Sequence, residues 1–106
     1  MKLVVGGVHQ GKTAFAHTLS EHVCDDLHRL IREWMQSGED LQEQVSQIEK
    51  TYADGVITVA EVGCGLVPMD AFEREYRERL GRFLIEVAKK ADRVERIMCG
   101  IGQRIK

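Results

Sequence analysis

Long apolar runs, net charge and cysteine are all scarce in this chain of 106 residues. No apolar run approaches the ~20 residues that a membrane-spanning helix needs, and residues 1–7 hold too short an apolar stretch for a secretory signal. A net charge of −2 leaves no basic surface for long nucleic acid. We therefore expect neither a membrane nor a nucleic acid as a partner.

The cysteines number only three, Cys24, Cys64 and Cys99. Their odd count and wide spacing argue against both a disulfide framework and a tetrahedral zinc site. Reduced thiols are typical of the cytoplasm, where disulfides are rare. We therefore expect a cytoplasmic protein whose cysteines are reduced.

Strand-like and helix-like patterns alternate along the rest of the chain. Three apolar runs are typical of buried strands: Leu3–Val5, Val56–Val62 and Val94–Cys99. Apolar residues at helical spacing predict four helices, over 14–23, 27–35, 41–52 and 70–87. Asp70 is the expected N-cap of the last helix, and Glu73 would complete a capping box. Residues 101–106 are typical of a short strand or tail.

The first strand pattern runs into a glycine-rich segment, Gly6-Gly7-Val8-His9-Gln10-Gly11-Lys12-Thr13. Glycine lets the backbone turn several N–H groups towards one anion, and the helix that follows points its N-terminus at the same place. The segment therefore predicts a phosphate-binding loop that contacts ATP or GTP. Lys12 would reach the terminal phosphates, and the Thr13 hydroxyl would ligate Mg²⁺.

A metal-dependent phosphate site also needs an acid, usually at the end of a neighbouring strand. Asp25 follows Glu21–Cys24, which is compatible with a very short strand; it would either serve the metal or cap the next helix. Glu61 lies near the end of the longest strand pattern, where an ionised group needs a partner. It would either serve the site or accept hydrogen bonds from the loop that follows. The candidate catalytic residues are thus Lys12, Asp25 and Glu61, and the candidate metal ligands are Thr13 and Asp25.

The remaining histidines, His17, His22 and His28, lack the spacing of a metal-binding pair. We expect them to lie on solvated helix surfaces. His9 differs because it lies inside the predicted loop, where it would either touch phosphate or face solvent.

The alternation of strands and helices predicts one α/β domain over residues 1–106. With its loop, the domain would be three-layered and P-loop NTPase-like, with a small, mostly parallel sheet. A sheet of three or four strands leaves its edges poorly covered. We therefore expect a homo-oligomer.

Two stretches resemble one known family. They are Glu61-Val62-Gly63-Cys64-Gly65-Leu66-Val67-Pro68 and the chain end Cys99-Gly100-Ile101-Gly102-Gln103-Arg104-Ile105-Lys106. Together with Gly6-Gly7 and Asp25-Asp26-Leu27, they resemble the bifunctional adenosylcobinamide kinase/adenosylcobinamide-phosphate guanylyltransferase family of cobalamin biosynthesis. The resemblance implies a P-loop fold, nucleotide binding and a corrinoid substrate.

The chain resembles a shortened form of that family. Only about a dozen residues separate Thr13 from Asp25, too few for the strand, loop and helix that the family has there. That region carries the family's guanylylated histidine, and the family's asparagine before Glu61 is Ala60 here. The resemblance therefore extends to the fold and to nucleotide binding and leaves kinase activity open. The alternatives are a regulatory nucleotide-binding module and a simple nucleotide hydrolase.

Overall fold

The computed structural model describes residues 1–7, 11–60 and 70–106, which form five strands and four helices. The strands are β1 (Lys2–Gly6), β2 (Val23–Cys24), β3 (Val56–Ala60), β4 (Arg93–Met98) and β5 (Ile101–Arg104). The helices are α1 (Lys12–Leu19), α2 (Leu27–Gln36), α3 (Leu41–Thr51) and α4 (Ala71–Lys90). The predicted helix over 14–23 is too long, because Val23 belongs to β2.

The strands form one sheet in the order β2-β3-β1-β4-β5. The central strand β1 runs parallel to β3 and β4, and Leu3 aligns with Ile57 on one side and Val94 on the other. Strand β5 is antiparallel to β4 because a two-residue turn, Cys99-Gly100, joins them. The prediction of a small, mostly parallel sheet is confirmed.

The apolar side chains of the sheet divide between two faces. On one face, Leu3 and Val5 pack into a cluster that includes side chains of α2, α3 and α4. On the other face, Val4 and Val56 pack with Ala16 of α1. Burying an aliphatic side chain of this size contributes about 1.5–3 kcal/mol. Helices therefore cover the sheet on both faces, which confirms the predicted three-layer α/β fold.

The start of α4 departs from the predicted capping box. Asp70 is the N-cap, and its carboxylate accepts hydrogen bonds from the backbone N–H groups of Phe72 and Glu73. The Glu73 carboxylate, however, accepts two bonds from the Arg32 guanidinium of α2, one of them 2.8 Å long. The reciprocal part of the predicted box is therefore wrong, since Arg32 offers Glu73 a charged partner. This ion pair joins α2 to the first turn of α4.

Two further expectations concern thiols and membranes. Cys24 is buried at the end of β2, and this burial raises the pKa of its thiol to about 11, with Asp25 and Asp26 adding to the effect. None of the described helices combines the length and apolar character of a membrane span.

Candidate functional site

The carboxyl ends of β1, β2 and β3 lie at one edge of the sheet, because these strands are parallel neighbours. Strand β1 ends there at Gly6, where a Cβ atom would lie only 2.7 Å from the Ile97 carbonyl oxygen. Gly11, the N-cap of α1, has a φ of 85°, which favours glycine. The two glycines that bracket the predicted loop are therefore required by close packing and by backbone conformation.

Lys12 begins α1 immediately after this loop. Its side chain is only 8% exposed, and its Nζ donates a hydrogen bond of 2.9 Å to the Gly7 carbonyl oxygen. The ammonium group therefore lies against the loop backbone, close to the end of β1. A bound anion would give this ammonium a stronger, charged acceptor than the neutral carbonyl.

Asp25 follows β2 directly and meets α1 across the sheet edge. The Thr13 hydroxyl donates a hydrogen bond of 2.9 Å to Asp25 Oδ1. Both residues are solvent-exposed, so a ligand has access to this pair. The structure thus brings together the two residues that the sequence nominated as metal ligands. The alternative that Asp25 caps α2 is wrong, because the N-cap of α2 is Asp26.

Thr58 of β3 also binds the Asp25 carboxylate. Its hydroxyl donates a hydrogen bond of 2.7 Å to Asp25 Oδ1 and accepts one of 2.8 Å from the Asp26 backbone N–H. Thr58 is fully buried, and Asp26 has a left-handed φ of 59°. Sequence reasoning missed this residue. Its signal was a hydroxyl within an otherwise apolar strand, since buried polar groups require partners.

His28 of α2 makes contact with the end of β3. Its Nδ1 accepts a hydrogen bond of 3.0 Å from the Ala60 backbone N–H, and its backbone carbonyl accepts one from the Tyr76 hydroxyl. The expectation of solvated histidines is therefore wrong for His28. His22 is solvent-exposed as expected but lies just before β2 and not on a helix; its Nε2 is 2.9 Å from the Thr51 carbonyl oxygen, and its ring stacks on Tyr52.

The surroundings of His28 favour its neutral form. Burial is the main cause that lowers its pKa below the ordinary value, while the negative charge of Asp26 opposes this shift. Lys12 and Arg29 lower the pKa further, and Asp25 raises it. A neutral ring is also what the bond from the Ala60 N–H requires, because a protonated Nδ1 cannot accept it.

Four of the predicted site residues lie outside the described residues: Val8, His9, Gln10 and Glu61. The interpretation of Glu61 as an acid or as a structural acceptor stays a prediction. Of the segment 61–68 that carried the resemblance, no residue is described.

The oxygen groups at this edge fit the requirements of Mg²⁺. The Thr13 hydroxyl keeps lone pairs for a metal while its hydrogen points to Asp25. Among the described residues, no group of three or more His, Cys, Asp or Glu could hold a metal. An ion here would therefore rely on phosphate oxygens and water for most of its ligands, as Mg²⁺ usually does.

Fold and sequence comparison agree on the class of protein. The layered α/β architecture, with its phosphate-loop sequence between β1 and α1, is a P-loop NTPase-like fold. The family described as "Cobinamide kinase / cobinamide phosphate guanyltransferase" matches residues 21–105. The chain therefore belongs to this family, and the resemblance inferred from the sequence is confirmed. The matched stretch includes Asp25, whereas the loop at residues 6–13 precedes it.

Two curated relatives carry the name "Bifunctional adenosylcobalamin biosynthesis protein CobU". The protein from Salmonella typhimurium is 32% identical over 68 residues, which cover 64% of this chain and 38% of the relative. The protein from Escherichia coli is 31% identical over 67 residues, which cover 63% and 37%. The matched chain thus spans little more than a third of these relatives.

Proposed function

We propose that this chain binds ATP or GTP with Mg²⁺ and transfers the terminal phosphoryl group to a corrinoid in cobalamin biosynthesis. The observation that carries the proposal is the hydrogen bond between Thr13 and Asp25. It joins the last residue of the loop motif to an acid that directly follows β2, at the same edge of the sheet, and a P-loop hydroxyl with a strand-end acid is how such sites hold Mg²⁺. Membership of the kinase family supplies the class of acceptor.

In this proposal the loop residues Gly6 to Thr13 hold the triphosphate through their backbone N–H groups. Lys12 leaves the Gly7 carbonyl and binds the terminal phosphates, where it offsets the charge that develops during transfer. Thr13 and Asp25 would hold Mg²⁺, which when bound would neutralise part of the phosphate charge. These residues would supply positioning and electrostatic stabilisation, which account for most of phosphoryl-transfer catalysis.

The acceptor step needs a group that orients the attacking hydroxyl. The hydroxyl oxygen would form a bond to the terminal phosphorus as the bond to the nucleoside diphosphate oxygen breaks, and the hydroxyl proton would pass to a carboxylate. Asp25 and Glu61 are the two candidates for that carboxylate. We propose phosphoryl transfer without guanylyl transfer, because the interval between Thr13 and Asp25 is too short for the strand, loop and helix that carry the family's guanylylated histidine.

Nucleotide binding and turnover test this proposal separately. Isothermal titration calorimetry with ATP and with GTP, each in Mg²⁺ and in EDTA, measures binding and its metal dependence. Release of nucleoside diphosphate, measured with and without adenosylcobinamide, then distinguishes the functions. A kinase turns over faster with the corrinoid, a simple hydrolase does not respond to it, and a regulatory module binds without turnover. Absence of binding to either nucleotide would refute all three.

The regulatory module is the second candidate, and one observation favours it. The interval between Thr13 and Asp25 is too short for the strand, loop and helix that the family has there. Such a module would keep the nucleotide site without the transfer.

We also propose that the chain acts as a cytoplasmic homo-oligomer with residues 1–106 as one unit. Among the described residues, four large apolar side chains are exposed on α4, β4 and β5 and just after β5: Ile85, Met98, Ile101 and Ile105. Strand β5 is an edge strand that pairs with β4 among the described residues, so its outer side is available to a second copy. A shallow groove of about 450 Å³ beside it is lined by Ile85, Val94 and Ile105.

A further inference from the structure

We infer that Thr58 is a positioning residue of the nucleotide site, fixing the Asp25 carboxylate so that the metal-bound triphosphate is recognised. This inference rests on the proposed function. The observation behind it is a buried hydroxyl on β3, outside the loop motif. This hydroxyl binds both the Asp25 carboxylate and the Asp26 backbone N–H.

The Thr58 hydroxyl can make only a few hydrogen bonds. A hydroxyl has one hydrogen to donate and lone pairs to accept with. Thr58 uses its hydrogen on Asp25 Oδ1 and a lone pair on the Asp26 N–H. Because the side chain is fully buried in β3, the hydroxyl has one fixed location. It therefore sets both the position of the carboxylate and the backbone that carries it.

Two hydroxyl groups bind the same oxygen atom of Asp25. The hydroxyl groups of Thr58 and Thr13 both donate to Oδ1 of Asp25, at 2.7 and 2.9 Å. Two donors on one oxygen hold the carboxylate in a single rotamer. Because Asp25 is solvent-exposed, a metal ion or its water would have access to this carboxylate.

Asp26 has an unusual backbone conformation. Non-glycine residues rarely adopt a φ of 59°, and such a conformation persists only where the surroundings hold it. The bond from the Asp26 N–H to Thr58 provides such a restraint. Without the hydroxyl, Asp26 can relax, and the turn that places Asp25 beside Thr13 relaxes with it.

The test compares Thr58→Val, which removes only the hydroxyl, with Thr58→Ser, which retains it. The control is Thr51→Val, which removes an exposed hydroxyl bonded to the Gln47 carbonyl on α3. Calorimetry with ATP and GTP, in Mg²⁺ and in EDTA, gives for each variant the ratio of the two affinities. We expect Thr58→Val to lower this ratio about tenfold, and Thr58→Ser and Thr51→Val to leave it within about twofold.

Loss of structure alone would reduce the affinities in Mg²⁺ and in EDTA by the same factor, and that outcome overturns the inference. An unchanged ratio in Thr58→Val overturns it as well. If the unaltered chain binds neither nucleotide, the proposed function fails and the inference with it. If the unaltered chain binds and only the Thr58→Val result disagrees, the proposed function stands without a role for Thr58.

A measurement on the unaltered chain covers the case in which Thr58→Val does not fold. Amide hydrogen exchange followed by NMR reports on the Asp26 N–H directly. We expect this amide to be protected, because its acceptor is a buried hydroxyl. Exchange at the rate of an unbonded amide would overturn the inference.

Discussion

A Cβ atom added to Gly11 would lie 3.3 Å from the Cα atom of Gly100, so the start of α1 touches the turn between β4 and β5. Neither residue has a side chain, and both have a positive φ, of 85° and 76°. The end of the phosphate-loop motif is therefore packed against the last hairpin of the chain.

This contact predicts different effects for two matched substitutions. Gly11→Ala and Gly100→Ala each place a side chain on a left-handed backbone and should each cost about 1 kcal/mol of unfolding free energy in urea. Only Gly11→Ala also pushes the loop away from the hairpin, because a Cβ atom on Gly100 meets open space. We expect calorimetry to show weaker ATP or GTP binding for Gly11→Ala alone. Equal affinities in the two variants would contradict this.

Removal of the Lys12 ammonium should weaken triphosphate binding. Lys12→Ala loses the cation that lies against the loop, and a charged hydrogen bond of this kind corresponds to a ~10- to 100-fold change in affinity. The control is Lys50→Ala, which removes an exposed lysine on α3. If Lys12→Ala binds ATP and GTP as tightly as the unaltered chain, the phosphate-loop interpretation is wrong.

Neutralising Asp25 should affect binding only when the metal is present. Asp25→Asn keeps the shape of the side chain and its contact with Thr13 but removes the negative charge. We expect the affinity for ATP or GTP to fall by ~10-fold or more in Mg²⁺ and to change little in EDTA. Asp54→Asn, in an exposed turn before β3, is the control. A loss of the same size under both conditions would mean that Asp25 acts on structure instead.

The hydrogen bond between His28 and the Ala60 N–H predicts a dependence of stability on pH. Burial lowers the pKa of His28 in the folded chain, so the unfolded chain binds a proton that the folded chain does not. The stability that His28 contributes is therefore present above its unfolded pKa of about 6.5 and is lost as the pH falls through the lower, folded value.

In His28→Asn, the amide oxygen can accept the Ala60 N–H at any pH. We expect the unfolding free energy of the unaltered chain to fall more steeply between about pH 7.5 and 5.5 than that of His28→Asn. Urea denaturation at each pH measures the difference. His17→Asn, at an exposed position of α1, is the control. Parallel curves for the unaltered chain and His28→Asn would contradict the prediction.

The exposed apolar edge predicts that one charge disrupts self-association. Ile101 is 72% exposed on the edge strand β5, and an aspartate there would be buried unpaired in a contact between two copies. Light scattering coupled to size exclusion should show an oligomer for the unaltered chain and a smaller species for Ile101→Asp. Gln47→Asp, on the exposed side of α3, is the control. A monomeric unaltered chain at micromolar concentration would refute the oligomer.

Sequence periodicity was sufficient for the layered fold, because strands such as Val56–Ala60 are apolar throughout and α4 carries a clear apolar stripe. The spacing of Gly6, Gly11 and Thr13 likewise placed the candidate site, since the motif itself dictates a strand, a loop and a helix. For Asp25 the sequence left two alternatives open, a metal site and the cap of α2. The reason is that β2 has only two residues, so its pattern in the sequence is weak.

The contacts made by Thr58 and His28 could not be predicted in the same way. Each depends on how far apart two elements of the fold lie, which local patterns do not encode. Thr58 reaches Asp25 because β3 lies beside β2, and His28 reaches Ala60 because α2 packs over the end of β3. Glu73 likewise accepts hydrogen bonds from Arg32 of α2 and does not complete the capping box of α4, because α2 and α4 lie side by side in the fold.

The central place of β1 in the sheet determines when the site can form. Leu3 pairs with Ile57 and with Val94, so both neighbours of β1 follow it at long separations in the chain. Contacts of this kind form late and slow the folding of a domain, because a long loop must close before they are gained. The strand that leads into the phosphate-loop motif therefore has both of its neighbours only after β4 has been synthesised.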